Sequence, residues 1–363
     1  MTTPPSKNIF KDTQVPHSIL VLGIFLSLFY LYIIVFWFEI GNIYLFTALM
    51  VGQLFSVWQV MTYIFTVWNT NKSFSKSTSH TPAVDVYITV AGEPIEIVEE
   101  TVRAAIAMNY SNFSIYLLND GYVAKKENWR EIEILADSLG VTCITRKVPG
   151  GAKAGNINNA LKQTSGELIC VFDADHVPYS NFLEETIPYF IDSRLAFVQT
   201  PQYYKNQLKN GVTHGAWDQQ ELFYGPICKG KNNYNSATMC GTNMAIRREA
   251  LEGVGGMCEE SVAEDFATGL LIHANGWKSI YLPTVLAEGL APEDFLSYFK
   301  QQLRWARGSL DVIFQYRVLS RSGLTIAQRI QYLASASHFL SGVIILMNAN
   351  GMQMQDIECV EQS

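Results

Sequence analysis

The chain is short of charge. Only 16% of its 363 residues are Asp, Glu, Lys or Arg, against about 25% in an ordinary soluble domain. It also lacks a positive balance: with a net charge of −7, a nucleic-acid partner is not expected. The six cysteines (143, 170, 228, 240, 258 and 359) form no CxxC and no His/Cys metal spacing. They read as reduced thiols rather than a disulfide framework or a zinc centre. There is no internal repeat and no Walker-type phosphate loop.

The charge deficit is local. After a polar tail at 1–18 come two apolar stretches, Ile19–Phe38 and Ile43–Trp68, each meeting the requirement of roughly 20 apolar residues for a membrane span. No small-residue cleavage site follows the first stretch, and its apolar core exceeds the length usual in a signal peptide. Two retained transmembrane helices at 19–68 are expected; the competing reading is a helical hairpin buried in a soluble core. Lys7 and Lys11 precede the pair, Lys72 and Lys76 follow it, and the connector "EIGN" has no Lys or Arg. The positive-inside rule then places both flanks, and everything after residue 70, in the cytoplasm of a multi-pass membrane protein.

Residues 69–82 are polar and Ser/Thr-rich and read as a linker. From residue 83 strand-like and helix-like segments alternate: "VDVYITV", "EIVEETVRAAIAMNY", "SIYLLND", "NWREIEILADSLG", "VTCITR", "KAGNINNALKQT" and "ELICVF". This alternation predicts an α/β fold with a mostly parallel sheet covered on both faces. Ligands of such sheets bind beyond the carboxyl ends of the strands, where Glu93, Asp120 and Asp173 fall together. Further on, "MCGTNMAIRREALEGVGG" predicts a strand and a short helix. "SVAEDFATGLLIHANGW" and "EDFLSYFKQQLRWARGSLDVIFQ" predict helices, the second long and amphipathic. Residues 316–350 read as an interfacial helix and the marginal start of a third span, and 351–363 as a polar tail.

Five features carry chemistry, each with a competing plain reading. Asp173-Ala174-Asp175 is a DxD at a strand mouth: residues i and i+2 of an extended segment point the same way, so both carboxylates can face one divalent cation, although such triplets also occur by chance on surfaces. Lys153 opens a helix behind two glycines and suits a phosphate, or is a solvated lysine. Asp120 ends a strand and can bind a ribose or base, or simply forms a D-G turn. Asp265, beside Glu264 at a helix start, is either a general base or a cap. Gln301, Arg304 and Trp305 share one helix face and can hold phosphate and a sugar ring, or belong to a helix lying on a membrane.

Taken together these residues resemble the family 2 glycosyltransferases, and most closely the processive cellulose synthase group, over roughly residues 83–315. The matching series is Asp120, then Asp173 with Asp175, then Ala263-Glu264-Asp265, then Gln301 with Arg304 and Trp305. "FVQTPQYY", "FYGPICKGKNNYNSATMCGTN" and "LRWARGS" are similar as well. The resemblance implies a GT-A fold and an inverting transfer of sugar from a UDP-sugar, UDP-glucose first, to a growing β-glycan, with Mg²⁺ or Mn²⁺. It implies that Glu93 and Asp120 hold the nucleotide and Lys153 its phosphates. Asp173 and Asp175 serve the metal, Asp265 is the base next to Glu264, and Gln301, Arg304 and Trp305 hold the diphosphate and terminal sugar. Four departures stand out. Asn119 precedes Asp120 where the family often has a second Asp, "TVAGEP" replaces the commoner "TYNEP", and Ala263 replaces the Thr of TED. The family also continues past QxxRW with several membrane helices, whereas this chain reads as truncated there, or as reliant on other synthase subunits. A non-processive transferase acting on a lipid acceptor and an inactive membrane-bound assembly subunit are the alternatives.

Overall fold

The computed structural model describes residues 14–37, 40, 42–78 and 81–346; most of the tail expected at 1–18, and all of that at 351–363, lie outside them. The two apolar stretches are helices α1 (His17–Trp37) and α2 (Ile43–Val67). Asn42 caps α2, its side chain accepting from the N–H groups of Tyr44 and Leu45, as N-cap residues do. Both helices are long and apolar enough to cross a membrane. α1 buries only Leu20 and Ile34, and leaves Phe25, Phe29 and Phe36 exposed, unlike the hairpin of a soluble core.

The segment expected as a linker is extended but lies against the globular domain. Lys72 donates to the Asn232 carbonyl at 2.9 Å, Ser77 N–H to the Pro188 carbonyl at 3.0 Å, and Phe74 packs on the core.

The βα alternation forms as the sequence predicts: β1 (Val84–Val90), α3 (Ile95–Ile106), β2 (Phe113–Asn119), α4 (Trp129–Leu139), β3 (Thr142–Thr145), α5 (Ala152–Leu161) and β4 (Leu168–Asp173). Gly140 ends α4 in the left-handed conformation at φ 68°, which a residue without a Cβ adopts freely. The second half adds β5 (Val177–Pro178), α6 (Phe182–Thr186), β6 (Leu195–Gln199), β7 (Tyr203–Tyr204), α7 (Gly211–Leu222), α8 (Cys228–Lys231), β8 (Met244–Arg247) and α9 (Arg248–Glu252). Then follow α10 (Glu264–Ala274), β9 (Lys278–Tyr281), β10 (Ala287–Gly289), α11 (Phe295–Gln315) and α12 (Ile326–Ser337).

Seven strands make one sheet in the order β3-β2-β1-β4-β8-β6-β9. β8 runs antiparallel between β4 and β6, and the other pairings are parallel. Every residue of β1 is buried. Its side chains divide by the period of two: Val84, Val86, Ile88 and Val90 face one core layer, Tyr87 the other. A strand covered on both faces can therefore be apolar throughout. A small sheet, β5-β10-β7, stands at the carboxyl ends of the central strands.

α12 docks on α2. Gln59 donates to the Ser337 hydroxyl at 2.8 Å, Thr66 pairs with Gln331 at 3.1 Å, and Tyr234 donates to the Phe65 carbonyl at 2.7 Å. The interval read as an interfacial helix and third span thus holds a turn, α12 and a short helical continuation to residue 346; its end at 347–350 lies outside the described residues.

Candidate active site

β4 delivers Asp173 to the sheet's carboxyl edge, and the turn after it presents Asp175 and His176. The carboxylates of Asp173 and Asp175 and the His176 ring offer donor atoms within 4.8 Å of one another. His176 Nδ1 is 3.3 Å from Asp175 Oδ1, yet both ring nitrogens lack a hydrogen-bond partner and the residue is only 6% exposed. A buried imidazole whose nitrogens make no hydrogen bond is costly, so this group has a donor set that a divalent cation would satisfy. Gly289 on β10 makes room for the ring: a Cβ there would collide with it. The sequence reading did not include His176.

Lys153, in the first turn of α5, bridges this group to the acids of α10. Its ammonium bonds Asp173 Oδ1 and donates to the Gly241 carbonyl at 2.8 Å. Burial works to lower the Lys153 pKa, but Asp173, Glu264 and Asp265 outweigh it and hold the group protonated. Burial likewise works to raise Asp173, and Lys153 and His176 overcome it, leaving the carboxyl below the ordinary range. Thr89 donates to the same carboxylate at 3.1 Å.

Asp265 behaves differently. Burial, then the charge of Glu264, push its pKa up to about 7, against the pull of Lys153 and a backbone N–H. Its carboxylate lies against Gly241, whose φ of +76° and missing side chain admit it. Two acids of one site thus sit in opposite protonation regimes, the pattern by which environment assigns acid and base roles.

Asp120 is buried and held by Arg146, Nε to Oδ1 at 2.7 Å and Nη2 to Oδ2 at 2.6 Å. Arg146 was not singled out in the sequence, although a signal was present. β2 and β3 pair in parallel with Asn119 opposite Thr145, so the next residues on each strand, Asp120 and Arg146, are neighbours. Asn119, the departure from a paired aspartate, is structural: it accepts from Gly121 N–H at 2.9 Å and donates to the Trp129 carbonyl at 2.7 Å. Glu93 is half-buried and accepts from Ala91 N–H at 2.6 Å, closing the turn after β1.

α11 carries Gln301 and Trp305 half-buried and Arg304 exposed; none of the three makes a side-chain hydrogen bond or ion pair among the described residues. The helix approaches the start of α10 at Gly308, where an added Cβ would come within 2.7 Å of Ala263. Ala263, the departure from Thr, thus lies under α11.

The family described as glycosyltransferase-like family 2 matches residues 82–308. The chain belongs to that family. Among curated relatives, the UDP-forming cellulose synthase catalytic subunit of Xanthomonas axonopodis pv. citri is 37% identical over 269 residues, covering 72% of this chain and 36% of the relative. That of Pseudomonas fluorescens is 36% identical over 291 residues, 77% of this chain and 39% of the relative. The chain thus spans little more than a third of the length of these relatives. A mannosyltransferase of Pyrobaculum calidifontis, solved with GDP-Man and Mn²⁺, superposes with a TM-score of 0.67 at 16% identity over 85% of this chain and 87% of that one. The fold is therefore GT-A, as the resemblance implied.

Proposed function

We propose that this family 2 chain is the catalytic part of a membrane-bound inverting glycosyltransferase that moves glucose from UDP-glucose to a growing β-glucan. The observation that carries the proposal is the pairing of regimes around Lys153: an ionised Asp173 on one side and, on the other, Asp265 with a pKa of about 7. A base poised near neutral pH is what abstraction of a hydroxyl proton asks for.

In this reading Asp265 takes the proton of the acceptor hydroxyl. The acceptor oxygen attacks the anomeric carbon from the face opposite the diphosphate, a new glycosidic bond forms, and the bond to the diphosphate oxygen breaks with its electron pair. Configuration inverts and UDP leaves. Lys153 and Arg304 bond the diphosphate as negative charge develops on it. Trp305 gives the terminal sugar a flat face, and Gln301 a hydrogen-bonding amide. Asp120, fixed by Arg146, and Glu93 line the nucleotide end. Asp173, Asp175 and His176 would hold Mg²⁺ or Mn²⁺, which neutralises a leaving diphosphate. α1 and α2 would cross the bilayer and place the site in the cytoplasm, where nucleotide sugars are made.

The test uses membranes carrying the chain, a panel of labelled nucleotide sugars, and Mg²⁺ or Mn²⁺ with a chelator control. UDP-glucose is expected to yield a polymer sensitive to β-glucanase, with chelator and Asp265→Asn each abolishing it. A single sugar on lipid would overturn the polymer assignment. Transfer from another donor alone would overturn the choice of glucose.

A further inference from the structure

The geometry points to Asn158 as a positioning residue for the base: a clamp by which the helix carrying Lys153 fixes the loop that ends in Asp265. The inference rests on the reading of Asp265 as the base.

On α5, Lys153 and Asn158 are five residues apart, about 140° round the helix. One face therefore meets the site carboxylates and another meets the segment 256–259. There the Asn158 amide reads both backbone polar groups of one residue, Met257. Its Oδ1 accepts from Met257 N–H at 2.7 Å, and its Nδ2 donates to the Met257 carbonyl at 2.8 Å and to Glu259 Oε1 at 2.7 Å. The approach is so close that a Cβ at Gly256 would collide with the amide, and Gly256 sits at φ +92°. The Glu259 side chain then runs against Gly151, where a Cβ would also collide.

The Met257 side chain is buried in the same core layer as Ala154, Ile157 and Ala160 of α5. Beside that packing, Asn158, Glu259, Lys147 and Lys162 border a cavity of ≈ 430 Å³ between α5 and its preceding loop, so on that side the hydrogen bonds of Asn158 orient the backbone that packing alone leaves free to turn. The loop's other anchors come from different helices: Thr268 of α10 accepts from Cys258 N–H at 2.9 Å, and the Tyr316 hydroxyl after α11 meets the Cys258 thiol at 2.7 Å. Among the described residues Asn158 supplies the side-chain hydrogen bonds that tie the base's loop to the lysine's helix. Catalytic geometry needs the lysine-bound leaving group and the base in one register, and small misplacements of a reacting group cost large factors in rate.

The experiment compares wild type, Asn158→Ala, Asn158→Asp, and Asn158→Asp combined with Glu259→Gln, all as full chain in membranes. Asn158→Ala is expected to lower kcat about tenfold or more while the KM for UDP-glucose stays within about twofold. Asn158→Asp keeps the acceptor for Met257 N–H but sets a carboxylate against Glu259; adding Glu259→Gln restores a donor–acceptor pair and recovers part of the rate. Tyr316→Phe, which cuts the Cys258 contact, is not corrected by Glu259→Gln. Amide hydrogen exchange in 257–263 is expected to rise in Asn158→Ala and to return toward wild type in the double variant, whether or not transfer is seen. Unchanged exchange there, unchanged kcat in an active wild type, or kcat and donor affinity falling together would each overturn the clamp. An inactive wild type with the expected exchange pattern would count against the transferase reading and leave the clamp standing.

Discussion

Asp265 can act as a base only when ionised, and its pKa of about 7 puts that condition inside the working range. The rate of transfer is expected to rise about tenfold per pH unit below 7 and to level off above it. Burial is the first cause of the shift and Glu264 the second, so Glu264→Gln should move the midpoint of the pH–rate profile to lower pH; a midpoint that stays or rises would refute the assigned cause. The stability sign runs the other way. An unfolded Asp titrates near 4 while the folded one keeps its proton to about 7. The folded state therefore loses stability as pH rises through that window, and the loss is complete above it. Arg146 offers a second test. Its two bonds to Asp120 are buried, and removing one partner of such a pair costs roughly 3–5 kcal/mol. Arg146→Met should lower the melting temperature of the domain markedly. Arg146→Lys keeps the charge but not the fork and should raise the KM for the donor about tenfold with a smaller loss of stability, as read by initial rates and thermal melts.

At the scale of elements, the proposed site depends on how closely α11 sits on the start of α10. Gly308 is the contact: a Cβ there meets Ala263 at 2.7 Å. Gly308→Val should make α11 a better helix in isolation, since glycine costs about 1 kcal/mol in a helix. It should nonetheless cut transfer by about tenfold or more, by levering Gln301, Arg304 and Trp305 away from Asp265; a fully active Gly308→Val would show that the helix need not seat there. The same elements show what was readable. β1 and β4 were plain because each is an apolar run bounded by turn residues, and α4 because Gly140 stops it. β8 was visible as a strand, but not its antiparallel place between β4 and β6, because pairing partners are chosen by tertiary packing rather than by local pattern. The linker looked free because polar residues give no sign of backbone contacts such as that of Ser77 with Pro188. His176 went unremarked because one histidine beside two aspartates has no spacing to distinguish it; only burial without a partner does.

At the scale of the whole molecule, the attachment of the domain to α2 ties the domain to one end of that helix. Phe65 and Thr66, at the carboxyl end of α2, bond Tyr234 and Gln331, while Lys72 just beyond it bonds Asn232. The domain that carries the candidate site is therefore joined at that end of the helix. Asn42 caps the other end, and the 25 residues between them span about 37 Å, enough for a hydrocarbon core of about 30 Å. The connector carries no Lys or Arg, whereas Lys72 and Lys76 stand at the domain end, the distribution found with the basic side in the cytoplasm. A reporter active only outside the cytoplasm should be active when fused at Asn42 and silent when fused after Ser75, and a cytoplasmic reporter should show the reverse. If both positions reported the same side, α2 would not cross the bilayer. If the two were exchanged, the carboxylates and Lys153 would face a compartment without nucleotide sugars, and the proposed transfer could not take place there.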